Sequence, residues 1–362
     1  MDEEMIDRNI LIIMSMLVML ISAGCSCEKK VRIALMTKIE SGSLVGISEV
    51  DAAKMYIEKN NVKTIEIIPF DDGWDPDKTI RAYRLMREQG IDLLVTSHVS
   101  TCAVKIKDMI NRDRVLTVVT GATTDELSDS DDYIFRNVQD VSSEQRSIAM
   151  YIKEKTPRRL LIVRDTDNSG YTVPAMKHFA EYYKPGTVEL IDLSISDFNP
   201  DELLKKMNKL RFDYLYIMIG GYKTAAGTVA QLSRRVSKSV PVMYTPWMKT
   251  PDILQTAGVS IEGSVIPSHY PAKGINRGVD KYMNEFREKY GYSPTFISLN
   301  VYSALQILHA AVSAGNRTPD SIKKFLGSKG RIITDFGNVE FNRYGDVDSR
   351  LFFITDIRGE FR

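Results

Sequence analysis

The residues able to do chemistry cluster at the ends of seven apolar segments. They read TKIESGS (37–43), DDGWDP (71–76), SHVSTCA (97–103), TGATTDEL (120–127), DTDNSGY (165–171), GGYKTAAG (220–227) and TPWMKTP (245–251). Serine, threonine and glycine dominate, so these loops offer hydroxyls and accessible backbone N–H groups. Such donors suit a carboxylate or an uncharged polar group. No GxxxxGK[ST] or GxGxxG phosphate loop occurs, nor an HExxH or GxSxG motif. His98, His178, His269 and His309 are scattered without metal-ligand spacing. Cys25 and Cys27 form a Cys-x-Cys pair with no further thiol or histidine nearby, and Cys102 reads as a small buried hydrophobe. No nucleophile or acid–base pair stands out, so the loops suit binding rather than catalysis. The expectation is no enzyme, no cofactor and no metal.

These loops are presented by strands alternating with amphipathic helices. VRIALM precedes a helix with Ile47, Val50, Ala53 and Ile57 on one face; TIEIIPF (64–70) precedes one with Ile80, Tyr83 and Met86. DLLVTSH (92–98), a helix near 102–112 and VLTVVTG (115–121) follow. After Val138 the rhythm restarts with RLLIVRD (159–165), a helix near 172–183, VELIDLSI (188–195) and a helix from Pro200. DYLYIMIGG (213–221), a helix near 223–237 and VPVMYT (240–245) complete it. Continuous apolar strands joined by helices imply parallel sheets covered on both faces. Two such runs predict two α/β lobes. Helices near 277–290 and 295–314 then precede an expected strand pair, NVEFN with RLFFITD, turning at Tyr344-Gly345-Asp346. In open parallel sheets ligands bind beyond the carboxyl ends of the strands, at helix N-termini. The seven loops stand at that place.

A chain of 362 residues, 43% hydrophobic and 26% charged, has the size of two ordinary domains and the composition of a globular protein. Its 48 basic and 47 acidic side chains nearly cancel, so nucleic acid is not an expected partner. Ile10–Gly24, ILIIMSMLVMLISAG, carries no charge. At 1.5 Å per residue it falls short of a bilayer core of about 30 Å, and an apolar N-terminal stretch ending in small residues reads as a secretory signal. Ser22-Ala23-Gly24 lead into Cys25. That resembles the lipobox of bacterial lipoproteins, in which the cysteine is acylated and becomes the N-terminus. Ser22 stands where leucine is usual, and Asp2, Glu3, Glu4 and Asp7 make the extreme N-terminus acidic; a start at Met5 removes three of those acids. Residues 1–24 are thus expected to be a lipoprotein signal peptide, Cys25 the lipidation site and 25–30 a tether. The expected location is outside the cytoplasm, lipid-anchored to a bacterial membrane at the periplasm or cell surface.

From Val31 to Phe353 the chain resembles the type I periplasmic substrate-binding proteins, in the branched-chain amino-acid-binding branch that serves ATP-driven importers. FDDGWDP, VVTGATTDELSDSDDYIFRN with VQDVSSEQ, IVRDTDNSGY, IMIGGY and FGNVEFNRYGDV carry the likeness, in order. It implies an α/β fold of two doubly wound parallel-sheet lobes joined by a three-strand hinge, with the ligand enclosed as the lobes close. By resemblance the crossings fall near Asn137–Ser142, Ile266–Pro271 and Thr334–Gly337. Lobe 1 is then 31–137 plus 270–333, and lobe 2 is 138–269 plus 334–362. The implied partners are a small-molecule ligand, the membrane permease of an importer and the membrane itself through the lipid; the protein is expected to be a monomer. The absence of a fused transmembrane or signalling segment before Arg362 favours delivery over the alternative, a receptor that signals to a membrane partner.

The resemblance also implies ligand residues. Ser100 and Thr101 fall on the serine/threonine pair heading the third helix, and Gly121, Ala122 and Thr123 on the alanine–threonine loop. Thr101 and Thr123 are expected to face one side of the cleft and hold a carboxylate. Tyr222 falls on the tyrosine after two glycines. Ser169 replaces the fifth-strand tyrosine, with Tyr171 two residues on. The place of the acid that pairs with an amino-acid ammonium falls on Thr245 or Pro246, with Trp247 next. The positions of a disulfide found in some relatives are Trp74 and Ser100. Lys38 is either a second carboxylate anchor or a solvated lysine. Without the acid, an aromatic acid, amide or dicarboxylate competes with an amino acid as ligand. If an amino acid binds, Glu40 or Asp167 supplies the counter-charge.

Overall fold

Two parallel sheets carry the strand rhythm. In the computed structural model, residues 29–40, 43–97, 99–348, 350–358 and 361 are described. The apolar N-terminal run, Cys25, Cys27 and His98 lie outside them.

The first sheet is built from β1 (Val31–Thr37), α1 (Leu44–Lys59), β2 (Ile65–Asp71), α2 (Pro76–Glu88), β3 (Leu93–Thr96), α3 (Ser100–Asp113), β4 (Leu116–Val119) and β5 (Ile134–Arg136). Its strand order is β2-β1-β3-β4-β5, all parallel. A helix, α4 (Val141–Glu154), leads to the second set: β6 (Arg159–Asp165), α5 (Ser169–Tyr182), β7 (Thr187–Leu193), α6 (Pro200–Asn208), β8 (Tyr214–Met218), α7 (Lys223–Val236) and β9 (Val242–Tyr244). Here the order is β7-β6-β8-β9, again parallel. Every residue of β3, β4 and β8 is buried, which is why those strands read as unbroken apolar runs. Both sheets reverse their winding beside the first strand, the switch point at which ligand crevices form.

The remaining elements are α8 (Pro251–Ala257), β10 (Ile266–Ser268), α9 (Arg277–Tyr290), α10 (Phe296–Ser313), α11 (Pro319–Ser328), β11 (Ile332–Thr334), β12 (Gly337–Val339) and β13 (Phe352–Ile354). α9 and α10 pack on α1, and α11 on β4, so this late segment returns to the first lobe. α10 is long and apolar enough to cross a membrane by length and composition, but 78% of it is buried in the protein.

The expected pairing of NVEFN with RLFFITD does not form. β12 pairs antiparallel with β11, and β13 with β10. The turn between the two segments does exist, with Asn342 N–H donating to the Asp346 carbonyl at 2.8 Å, but only Phe341 and Val347 bridge across it. Two-residue spacing between Thr334 and Gly337 gives β12 a nearer partner upstream. Local alternation fixes which face a strand buries, not which strand it joins.

Around the crossings, Asn300 acts as a tie. It donates through Nδ2 to the Thr120 carbonyl at 3.0 Å, receives Asn137 Nδ2 on its carbonyl at 2.8 Å, and accepts Tyr270 O–H at 2.7 Å. Nearby, the fully buried Arg136 pairs with Asp346 at 2.7 Å and donates to the Thr124 carbonyl and Ser128 Oγ.

Candidate functional site

The loops at the carboxyl ends of the two sheets face each other across a small cavity of about 30 Å³. Trp74, Ser97, Val99, Ser100, Gly121 and Ile297 come from the first lobe and its late helices; Asn168, Tyr171, Gly220, Gly221, Lys223 and Trp247 come from the second. An outer mouth of about 450 Å³ adjoins it, lined among others by Lys38, Tyr222, Thr224 and Asp252. Trp74, Gly221 and Lys223 line both spaces and partition them.

Trp74 is placed by its own backbone. The run Asp71-Asp72-Gly73-Trp74 ends β2, Asp72 accepts the Trp74 N–H at 3.0 Å, and Asp75 caps α2 by accepting from Asp77 and Lys78. Trp74 itself sits at φ +55°, a left-handed conformation rarely tolerated by a bulky side chain and costing about 1–3 kcal/mol. Its Nε1 is buried without a partner. Two lysines lie over the ring, Lys38 at 5.7 Å and Lys223 at 5.3 Å.

Below the first-lobe wall, Ser97 Oγ reaches both Thr37 at 3.0 Å and Glu49 at 2.6 Å. Burial pushes the Glu49 carboxyl up to about 7, outweighing those hydrogen bonds. In the second lobe Asp165 ties two loops together, accepting the N–H of Asn168 at 2.8 Å and of Gly220 at 3.1 Å. A Cβ at Gly220 would lie 2.8 Å from the Tyr171 ring, so only glycine lets the two approach. Tyr171 donates to Glu144 at 2.5 Å, and Gln145 links Glu144 to Tyr216. Trp247 packs on His269 and Phe296, and burial pushes His269 down to about 4, leaving a neutral ring.

Three helices start at this cavity: α3, α5 and α7. None has a side-chain cap from its N-cap residue, as is also true of α1, α8 and α10, and the Gly170 N–H of α5 donates to Thr101 Oγ1; α2, α4, α6, α9 and α11 are capped by Asp75, Asp140, Asn199, Asn276 and Thr318. Uncapped N-termini carry unsatisfied N–H groups and partial positive charge. Lys223, the first residue of α7, is only 8% exposed. Its carbonyl accepts the Thr256 hydroxyl at 3.2 Å, while its ammonium lies over the Trp74 ring at 5.3 Å and is within ion-pair distance of no carboxylate among the described residues. Burial pushes its ammonium down to about 8; Asp252 and Glu49 partly oppose this, and Lys38 adds to it. Among the described residues no acidic side chain lines the cavity. The arrangement favours an anion.

Of the residues expected from the sequence, Ser100, Gly121, Tyr171 and Trp247 reach the cavity. Thr101 is occupied across the cleft: its Oγ1 accepts the Gly170 N–H at 3.2 Å and lies 3.3 Å from Asn168 Oδ1. Ala122 belongs to the first-lobe core, and Thr123 is fully buried off the lining with its hydroxyl unpartnered. Tyr222 and Lys38 line the mouth, and Ser169 is an exposed first residue of α5. Thr245 donates to the Ile219 carbonyl at 2.6 Å; neither Glu40 nor Asp167 lines the cavity. Sequence reasoning passed over Lys223, and took Trp74 only as a disulfide position. The signals available were one lysine directly after Gly-Gly-Tyr and a tryptophan directly after Gly73. Cys102 is buried and its thiol is pushed up to about 12 by burial. Among the described residues no group of three His, Cys, Asp or Glu could hold a metal ion.

The chain shares its fold with several solved structures. A leucine-binding protein from Thermotoga maritima is 17% identical with a TM-score of 0.83, over 92% of this chain and 97% of its own. The substrate-binding protein of a branched-chain amino acid transporter from Streptococcus pneumoniae, in complex with isoleucine, is 19% identical with a TM-score of 0.83, over 92% and 98%. A solute-binding protein of an ABC transporter from R. palustris, in complex with benzoate, is 16% identical with a TM-score of 0.81, over 92% and 95%. No curated protein sequence matches the chain. The sequence profile described as periplasmic binding protein matches residues 30–354. With both sheets, the interlobe cavity and that match across nearly the whole described chain, the protein belongs to the periplasmic binding protein family.

Proposed function

We propose that this protein is a lipid-anchored, extracytoplasmic solute-binding protein that captures a small carboxylate-bearing ligand between its lobes and delivers it to an ATP-driven importer. Family membership carries the broader role, solute binding outside the cytoplasm. The observation that carries the finer reading is the interlobe cavity whose only charged lining residue, among the described residues, is a lysine, with helix N-termini opening onto it. Isoleucine and benzoate, held by two proteins of the same fold, share one group, the carboxylate. In this reading 31–137 with 270–333 and 138–269 with 334–362 close as two lobes over the ligand. Residues 1–24 are the signal, Cys25 carries lipid, and 25–30 tether a monomer to the membrane beside its permease. Ser100, Gly121, Tyr171 and Trp247 contact the ligand, which leaves chemically unchanged.

A thermal-shift screen against amino acids, aromatic acids, amides and short dicarboxylates tests this. At a hundredfold excess over its dissociation constant a true ligand adds about 2.7 kcal/mol of stability. Stabilisation by at least one carboxylate is expected. No stabilisation by any carboxylate, or conversion of the ligand to product, overturns the reading.

A further inference from the structure

Lys223 presents an energetic problem that a ligand would solve. Its side chain is buried, it lines the inner cavity and the mouth alike, and its nearest ring neighbour is Trp74, 5.3 Å away. A buried ammonium with no carboxylate partner is unfavourable, and proteins hold one where a ligand or substrate completes the pair. The uncapped starts of α3 and α7 add positive potential to the same space. Among the described residues nothing acidic lines the inner cavity to receive a second cation. An α-amino acid whose carboxylate meets Lys223 would find no acid in the inner cavity for its ammonium, and Asp252, the acid of the mouth, already acts on Lys223.

We propose that Lys223 is the ion-pair partner of the ligand, and that the site selects a small organic monocarboxylate lacking an ammonium group, seated against the Trp74 ring. This rests on the solute-binding reading above. Lys223 would use its donors on the carboxylate while Trp74 offers its face and its unpartnered Nε1. Because Lys223 and Trp74 divide the 30 Å³ cavity from the 450 Å³ mouth, a ligand larger than a few atoms must displace them and occupy both spaces.

The test is calorimetric titration of the protein, and of Lys223→Met and Lys223→Arg, with four probes: benzoate, benzamide, 4-methyl-2-oxopentanoate and leucine. Each acid is expected to bind about tenfold or more tightly than its uncharged or aminated counterpart. Lys223→Met should weaken the acids by about thirtyfold and leave benzamide within about threefold, while Lys223→Arg keeps most of the affinity. The wild-type protein supplies a measurement independent of any variant's folding. The charged groups that act on Lys223 are Asp252 on α8, Glu49 on α1 and Lys38 after β1. Because a protonated Lys223 is required, acid affinity should fall about tenfold per pH unit above about pH 8, and Lys223→Arg should abolish that break. Leucine binding more tightly than its 2-oxo analogue, or Lys223→Met binding both acids as the wild type does, overturns the assignment and leaves solute binding standing. Binding by none of the four overturns both.

Discussion

Glu49 shows how a single buried carboxyl shapes the behaviour of the whole chain. Its Oε2 receives the Ser97 hydroxyl, its Oε1 has no partner, and burial holds it near 7 instead of its ordinary 4.5. The unfolded chain gives up this proton near 4.5 and the folded protein keeps it until about 7. Stability is therefore full below the lower value and falls as pH rises through the window, by about 3 kcal/mol. Glu144, raised to about 7 by the same cause, adds a second fall of similar size. Glu49→Gln should remove about half of the combined slope. Its melting temperature should exceed the wild type's at pH 8 and match it at pH 4, as denaturation scans across that range will show. Parallel profiles would mean that Glu49 ionises normally inside the fold.

Between elements, α3 and α5 meet start to start across the cleft. A Cβ at Gly170 would lie 2.8 Å from the Thr101 backbone nitrogen, so this contact exists only because residue 170 has no side chain. Gly170→Ala should hold the lobes apart and weaken ligand binding by about tenfold. Because alanine is the better helix former by about 1 kcal/mol, the melting temperature should not fall. Calorimetry and scattering on the liganded variant check both parts, and wild-type affinity would rule out this contact as part of closure. Much of this architecture was legible. β3, β4 and β8 are buried on both faces and so read as continuous apolar runs, and ligand-facing loops follow from where parallel strands end. β5 was missed because three residues carry too short a pattern, and α4 because Val141, Ile148, Ala149 and Ile152 are diluted by polar neighbours. Lys223 and Trp74 were illegible for a different reason. A lysine at a helix start is buried only when the opposite lobe covers it, and no local pattern encodes that.

At the scale of the molecule, closure is also secured at the rim. His178 on α5 contacts Asp125 of the first lobe at 2.5 Å and Glu181 of its own helix at 3.0 Å. Burial by itself would lower the imidazole pKa, but the two carboxylates outweigh it and raise it above the ordinary 6.5. The pair favours the closed arrangement fully below about 6.5, and its contribution is lost as pH rises through the raised value. The unliganded protein should therefore have a smaller radius of gyration at pH 5.5 than at pH 8.5. Asp125→Asn should flatten that difference, and an identical response in the variant would rule out this latch.

The partition formed by Trp74 carries one more consequence, an optical one. The chain contains two tryptophans, Trp74 and Trp247, and both line the inner cavity from opposite lobes. All indole emission therefore originates at the ligand's own surroundings, with an ammonium poised over one of the two rings. The unlabelled protein is its own fluorescent reporter: excitation near the red edge of protein absorbance reads out occupancy of the cleft and nothing else in the fold.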